Sequence, residues 1–361
     1  MNLGFESRNC HHLCDVTLFA LRSLERALRY FHPLLVSEIQ DRIIPVRQKL
    51  AEAYADSERL NAVSLEEGSR LRLKKSAGLL LRALDLFSEQ DDLQRIVFNA
   101  MRAGRIYAQV QEILFSLKEE LVPVHLFFLE EELQNRRGVP MRDQAPQGDE
   151  LLHEGFDADP YARGGCSYYL PPGSVQDQAL PLVVALHGGG GHGRDFIWFW
   201  LKEARSRRLL LMAPTSVGET WTISRTQEEI DSITEHIERF SARANIDRER
   251  MLLTGISDGA TFCLACSLLE STPFRAFSPI CGVLPPLDTS AVHGRRILWI
   301  HGKHDWMFPV QRAQEGVQRL KTAQADIILT ICADLAHAYP REQNARILTW
   351  FLPDLALGRP R

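Results

Sequence analysis

The chain has no apolar run long enough to cross a bilayer, which excludes a helical membrane span. It has no face of clustered Lys and Arg, and its formal net charge is −4, so nothing points to nucleic acid as a partner. The first residues, MNLGFESRNCHHLCDV, lack the basic start, apolar stretch and small-residue cleavage site of a secretory signal, and a cytoplasmic location is the expectation. Seven cysteines, an odd number scattered over 361 residues, do not form a disulfide framework. Cys10-His11-His12-Leu13-Cys14 holds soft ligand types, but no second pair follows at finger-like spacing, so no metal is expected. The Cys263-x-x-Cys266 pair sits in an apolar helical stretch and reads as two small buried hydrophobes.

Hydrophobic and charged contents of 45% and 24% are those of an ordinary globular chain, and the length suggests two domains. The front, to about residue 135, carries helical periodicity alone. Val16, Phe19, Ala20, Leu24, Leu28 and Phe31 recur at helical spacing. So do Leu93, Ile96, Val97, Ala100, Val110, Ile113, Leu114 and Leu117. No repeat consensus recurs. These stripes can pack on each other, on the rest of the chain or on a second copy, which would make a homo-oligomer. Arg136-Arg137-Gly138-Val139-Pro140 and Gln144 to Gly148 are turn-like, and the boundary is expected near residue 150, giving 1–150 as helical domain plus linker and 151–361 as the second domain.

Beyond it the texture alternates. Apolar runs at 182–186, 209–212, 251–254, 297–300 and 327–331 are separated by helical patterns at 228–240, 260–269 and 310–320. Several runs are continuous, as strands buried on both faces require. The pattern predicts a doubly wound, mostly parallel α/β sheet, with its site at the carboxyl ends of the strands.

The third run leads into Gly255-Ile256-Ser257-Asp258-Gly259, a G-x-S-x-G between a strand and a helix. Glycines on both flanks allow a turn tight enough to project the Ser257 hydroxyl, and the helix that follows aims its positive end at that corner. Ser257 is the candidate nucleophile. The first run leads into His187-Gly188-Gly189-Gly190-Gly191-His192-Gly193. Acyl transfer develops an alkoxide that must meet preset N–H donors. The N–H of Asp258, the residue after the nucleophile, is one candidate donor, and Gly188 or Gly189 supplies the other. The segment carries no G-x-x-x-x-G-K-[ST] and no G-x-G-x-x-G with an acidic partner, and His187 reads as a structural residue of the turn.

A serine hydroxyl needs an imidazole to take its proton. In chains with this elbow the partners follow in the order serine, acid, histidine. His293, His301, His304 and His337 lie downstream, and His337 alone follows the last run with an acid available before it. Asp305, in the loop after the run 297–300, is better placed than Asp288, Asp326 or Asp334 to orient the imidazole. Trp198, Trp221 and Trp306 are candidates for an apolar substrate wall, with core packing as the alternative for each.

Four segments carry a resemblance: Leu186 to Gly191, Gly255 to Gly259, His301 to Pro309, and Leu335 to Pro340. Residues 160–355 resemble the phospholipase/carboxylesterase branch of the α/β-hydrolases, near polyhydroxybutyrate-depolymerase-like and dienelactone-hydrolase-like esterases. The resemblance implies an α/β-hydrolase fold behind an all-helical N-terminal domain, and a serine carboxylesterase with a Ser257, Asp305, His337 triad. A small-molecule ester, short-chain or aryl, is the implied substrate, and no cofactor is implied. Dienelactone hydrolases carry cysteine at the elbow, so Ser257 favours ordinary ester cleavage. A thioesterase or peptidase with the same triad, or a non-catalytic interaction protein working through its helices, are the alternatives.

Overall fold

The computed structural model describes residues 3–58, 65–87, 92–134, 148–155, 159–174 and 178–355. The chain divides into two compact units, Met1–Leu129 and Glu130–Arg361. The second begins earlier than the expected boundary because Glu130 is anchored inside it. Its carboxylate takes two hydrogen bonds from Arg207 at 2.8 and 2.6 Å, and its N–H donates to Ser206 Oγ. The turn-like residues 136–147 lie outside the described residues.

The first unit is built of α1 (Leu3–Arg29), α2 (Val36–Glu58), α3 (Glu67–Asp85), α4 (Leu93–Phe115) and α5 (Val122–Phe127). In α1, Val16, Ala20 and Leu24 repeat every four residues and are buried, whereas Phe19, one step off that line, is exposed. In α4, Ala100, Val110 and Leu114 are buried but Leu93 is exposed. Asp92 caps α4 by accepting the Arg95 N–H, one of the donors a helix start leaves unpaired. Of the Cys10 to Cys14 group, the side chains of Cys10 and His11 lie outside the described residues, His12 is exposed and Cys14 is buried.

The second unit opens with α6 (Glu131–Gln134) and continues as an eight-stranded, mostly parallel α/β sheet. Its strands are β1 (Glu150–Glu154), β2 (Cys166–Leu170), β3 (Leu180–Leu186), β4 (Leu210–Pro214), β5 (Ile246–Ile256), β6 (Ala276–Ile280), β7 (Arg296–Gly302) and β8 (Asp326–Cys332). They lie in the order β1-β2-β4-β3-β5-β6-β7-β8. β1 and β2 run antiparallel to their neighbours, and β4, β3, β5, β6, β7 and β8 are parallel. Helices α7 (Gly193–Phe196), α8 (Leu201–Arg207), α9 (Thr226–Ser241), α10 (Asp258–Ser267), α11 (Val310–Thr322) and α12 (Asn344–Phe351) connect and cover them.

The continuous apolar runs have the predicted cause. Leu182, Val184 and Leu186 join a core with Ile233 and Ile237 of α9 and Phe262 and Cys263 of α10. Val183 and Ala185, on the other face of the same strand, are equally buried. The expected runs and helical patterns correspond to β3, β4, β5, β7 and β8 and to α9, α10 and α11.

Strand β6 has no counterpart among those runs, since Ala276-Phe277-Ser278-Pro279-Ile280 carries a strand breaker. Its neighbours show how the proline is tolerated. Phe277 pairs with Ile297, and Cys281 N–H donates to Ile300 O, so the register aims residue 279 at the Leu298 carbonyl. Pro279 has no N–H to give. The Ser278 hydroxyl donates to Leu298 O instead, at 3.1 Å. Strands β3, β5, β6, β7 and β8 therefore end in step, with Leu186 beside Gly255, Ile256 beside Ile280 and Gly302 beside Cys332.

Candidate active site

Ser257 stands at the corner between β5 and α10 with φ 56° and ψ −117°. A non-glycine residue in that region is strained, and the surroundings hold it there. Its N–H donates to Ile280 O at 3.0 Å, and its carbonyl accepts the Thr261 N–H at 2.9 Å. The flanking glycines let the chain pass this close. A Cβ on Gly259 would stand 2.4 Å from His187 O, and one on Gly255 would stand 2.8 Å from Leu186 Cβ. The first turn of α10 faces the corner and supplies the positive end of the helix.

His337 Nε2 lies 3.0 Å from Ser257 Oγ, and Nδ1 lies 2.9 and 3.0 Å from the two oxygens of Asp305. Three side chains separated by 48 and 32 positions in the sequence thus form one hydrogen-bonded line. Asp305 is buried and accepts the N–H groups of Met307 and Phe308 at 3.0 and 2.7 Å. Burial alone would raise its pKa. The hydrogen bond and charge of His337 and the Phe308 N–H outweigh burial and hold the carboxyl below its usual range. It is therefore ionised, and the imidazole donates from Nδ1, leaving Nε2 free to accept from the serine.

The loops that carry the acid and the histidine are knitted together. Lys303 N–H donates to Cys332 O and His304 N–H to Leu335 O, both at 2.9 Å. Gly302 makes this approach available, since a Cβ there would meet Leu335 O at 2.4 Å and Ala336 O at 2.6 Å. His301 is fully buried, and its Nε2–H donates to Phe308 O at 2.8 Å. Burial lowers its pKa, so it supports the acid loop as a neutral ring.

The glycine loop borders the same corner. A Cβ on Gly188 would lie 3.5 Å from Ser257 Cβ, and one on Gly189 would lie 2.8 Å from Asp258 Oδ2. Gly188 therefore adjoins Ser257, and Gly189 adjoins the side chain of Asp258. His187 is buried beneath them, with Nδ1 donating to Gly188 O at 2.7 Å and Nε2 accepting the Ser216 N–H at 3.1 Å. Burial depresses its pKa to about 3, with the Arg163 charge adding to the shift. It is a neutral turn residue.

The three tryptophans part company. Trp306 is 37% exposed, with its ring centroid 6.1 Å from that of His337. Trp221 is buried under the glycine loop, donating to His187 O at 3.0 Å and stacking on Phe262 at 5.3 Å. Trp198 is wholly enclosed, so its ring meets protein and offers no surface to a ligand. Cys263 and Cys266 are free thiols buried in α10, and burial pushes both upward in pKa.

Three neighbours of the site escaped the sequence reading. Thr220 donates to Asp258 Oδ2 at 2.7 Å. Cys281, at φ 50°, sets its buried thiol 3.8 and 3.9 Å from the carbonyls of Ala336 and Ala338, on either side of His337. Arg163 reaches the glycine loop from the segment before β2. Among the described residues, no cluster of three or more His, Cys, Asp or Glu could hold a metal ion, and no helix is long and apolar enough to cross a membrane.

Residues 174–352 match the family model described as Phospholipase/Carboxylesterase. A protein described as a probable feruloyl esterase C, from Aspergillus terreus, is 24% identical over 171 residues. That alignment takes in 44% of this chain and 62% of the relative, so the chain spans less than two thirds of the relative's length. Among solved structures, esterase PE8 is 23% identical, covering 50% of this chain and 95% of its own at a TM-score of 0.41. S-formylglutathione hydrolase from Staphylococcus aureus is 14% identical, covering 57% of this chain and 98% of its own at a TM-score of 0.45.

Proposed function

We propose that this chain, whose residues 174–352 belong to the phospholipase/carboxylesterase family of α/β-hydrolases, is a serine carboxylesterase working through an acyl-enzyme. The observation that carries the reading is the unbroken line from Ser257 Oγ to His337 Nε2 at 3.0 Å and from His337 Nδ1 to Asp305 at 2.9 Å. Ser257 attacks the ester carbonyl as His337 Nε2 takes its proton. The resulting imidazolium is stabilised by the ionised Asp305. The carbonyl oxygen becomes an alkoxide and receives the N–H of Asp258 and of a glycine-loop residue. Each such donor is worth about 10²- to 10³-fold in rate. Collapse expels the alcohol, which leaves with the proton from His337. Water, deprotonated by the same imidazole, then attacks the acyl-serine, and the carboxylic acid departs as Ser257 recovers its proton.

The substrate reading is a small ester with an apolar or aryl acyl group. It is supported by Trp306 and Phe308, whose ring centroids lie 6.1 and 5.3 Å from that of His337, and by the half-exposed Met307 in the same loop. The feruloyl esterase relative points the same way, towards an aryl acyl group. The test is turnover of p-nitrophenyl acetate, butyrate and octanoate and of methyl hydroxycinnamates, beside thioester and peptide panels. A fluorophosphonate should label Ser257, and Ser257→Ala should lose both labelling and turnover. Ester turnover that survives in Ser257→Ala would refute the reading, and preference for thioesters or peptides would replace the substrate class.

A further inference from the structure

The glycine loop is held by a side chain that lies outside the family-matched segment. Arg163, in the turn before β2, donates from Nε to Gly218 O at 2.8 Å and from Nη1 to Gly191 O at 2.6 Å. Its Nη2 donates to Ser216 Oγ and to Glu219 O, the latter at 3.2 Å, and stands 3.4 Å from His187 Nε2. One planar fork thus joins the glycine loop after β3 to the 216–219 loop after β4. A guanidinium can do this because its five donors have fixed directions.

The consequence for the site runs through His187. Its Nε2 already accepts from Ser216 N–H, so the ring proton sits on Nδ1 and is given to Gly188 O. That carbonyl also accepts the Gly191 N–H at 3.0 Å. In a trans peptide the carbonyl and the next N–H point in opposite directions. Holding Gly188 O against His187 and Gly191 therefore turns the Gly189 N–H the other way. A Cβ on Gly188 would touch Ser257 Cβ at 3.5 Å and one on Gly189 would meet the Asp258 carboxylate at 2.8 Å, so the turned peptide lies beside the nucleophile's corner.

We propose that Arg163 is a positioning residue for the oxyanion: it locks the glycine loop and the tautomer of His187, so that the Gly189 N–H faces the reacting carbonyl beside the Asp258 N–H. The proposal rests on the esterase reading above. It distinguishes Gly189 from Gly188 as the second donor, and it gives Arg163 a task beyond holding two loops together.

The test compares Arg163→Ala, Arg163→Lys and Arg163→Gln in the full chain. Displacing a donor by about 1 Å costs up to about 10²-fold. Arg163→Ala should therefore lose about 10- to 100-fold in kcat with KM little changed, because the interaction is made in the transition state. Guanidinium ion at millimolar concentration should restore part of that loss, and lysine, which cannot span both loops, should fall between. Amide hydrogen exchange in residues 188–191 should accelerate in Arg163→Ala. Wild-type kcat in a folded Arg163→Ala would overturn the proposal, as would a loss of kcat with unchanged exchange in the glycine loop and no guanidinium rescue. Should Arg163→Ala fail to fold, the glutamine and lysine variants are read by the same criteria. Should the wild type hydrolyse no ester, the reaction assigned to the site fails separately, and the exchange comparison still decides whether Arg163 holds the loop.

Discussion

Replacing Gly302 by alanine would insert a methyl group between the acid loop and the histidine loop. The new Cβ would stand 2.4 Å from Leu335 O and 2.6 Å from Ala336 O, while ordinary contact begins at 3.4 Å. Both obstacles are backbone, so relief requires the loops to separate by about 1 Å, the shortfall from that ordinary contact. His337 follows Ala336 directly and moves with it. Its 3.0 Å hydrogen bond to Ser257 would open towards about 4 Å, where no hydrogen bond survives. The cost in kcat should be about 100-fold, or about 2.7 kcal/mol in the barrier. Overpacking should cost a further 1–3 kcal/mol or so in stability. The assay is kcat on p-nitrophenyl butyrate beside a urea unfolding curve. Gly104→Ala, where a Cβ would meet nothing within 4 Å, serves as control. A folded Gly302→Ala with wild-type kcat would show that the two loops are not mechanically coupled, and the reasoning would be wrong.

Asp305→Asn should keep the geometry and lower kcat by about 10⁴-fold, because an amide favours the wrong imidazole tautomer. Asp305 also has a depressed folded pKa, so its contribution to stability is present above the ordinary carboxylate range and disappears as pH falls through the folded value. Denaturant midpoints of Asp305→Asn should accordingly fall less steeply below about pH 4 than those of wild type, and parallel curves would contradict this. His187 titrates in the unfolded chain near 6.5 but at about 3 when folded. The unfolded state binds the extra proton between those values, so stability should decline as pH drops from 6.5 towards 3, by at most about 5 kcal/mol. Urea midpoints at pH 7, 6, 5 and 4 test this, and a flat profile from 6.5 to 4 would rule it out. Trp221→Ala should cost about 3–5 kcal/mol in stability, since the ring is buried and hydrogen-bonded. Trp306→Ala should leave the unfolding midpoint nearly unchanged and raise KM for aryl esters, and the opposite pattern would exchange the roles of the two rings.

The architecture was legible where one physical constraint dominates. Continuous apolar runs such as Leu182 to Leu186 can be strands only if both faces are covered, which predicted a parallel sheet. Strand β6 was not legible, because Pro279 looks like a breaker until Ser278 is seen to satisfy the carbonyl that the proline leaves open. In α1, periodicity alone did not separate Phe19, which is exposed, from Val16 and Leu24, which are buried. The same limit applies to aromatic residues near motifs. Trp198, Trp221 and Trp306 carry the same chemistry and differ only in what surrounds them.

The amino-acid sequence by itself determined the local devices at the site. A glycine-flanked serine between a strand and a helix favours a tight corner, and glycines after β3 give the backbone room to approach and, as at Gly190 with φ 61°, to turn left-handed. Those are covalent and steric facts of single residues and their immediate neighbours. Tertiary structure decided everything that depends on chains meeting: the 3.0 Å contact between Ser257 and His337, the fit of Gly302 beneath Leu335, and the reach of Arg163 to Gly191. The physical reason is that hydrogen bonds act over about 3 Å, whereas the groups they join here lie 28 to 80 positions apart. No local pattern encodes that distance until the sheet brings its strand ends into register.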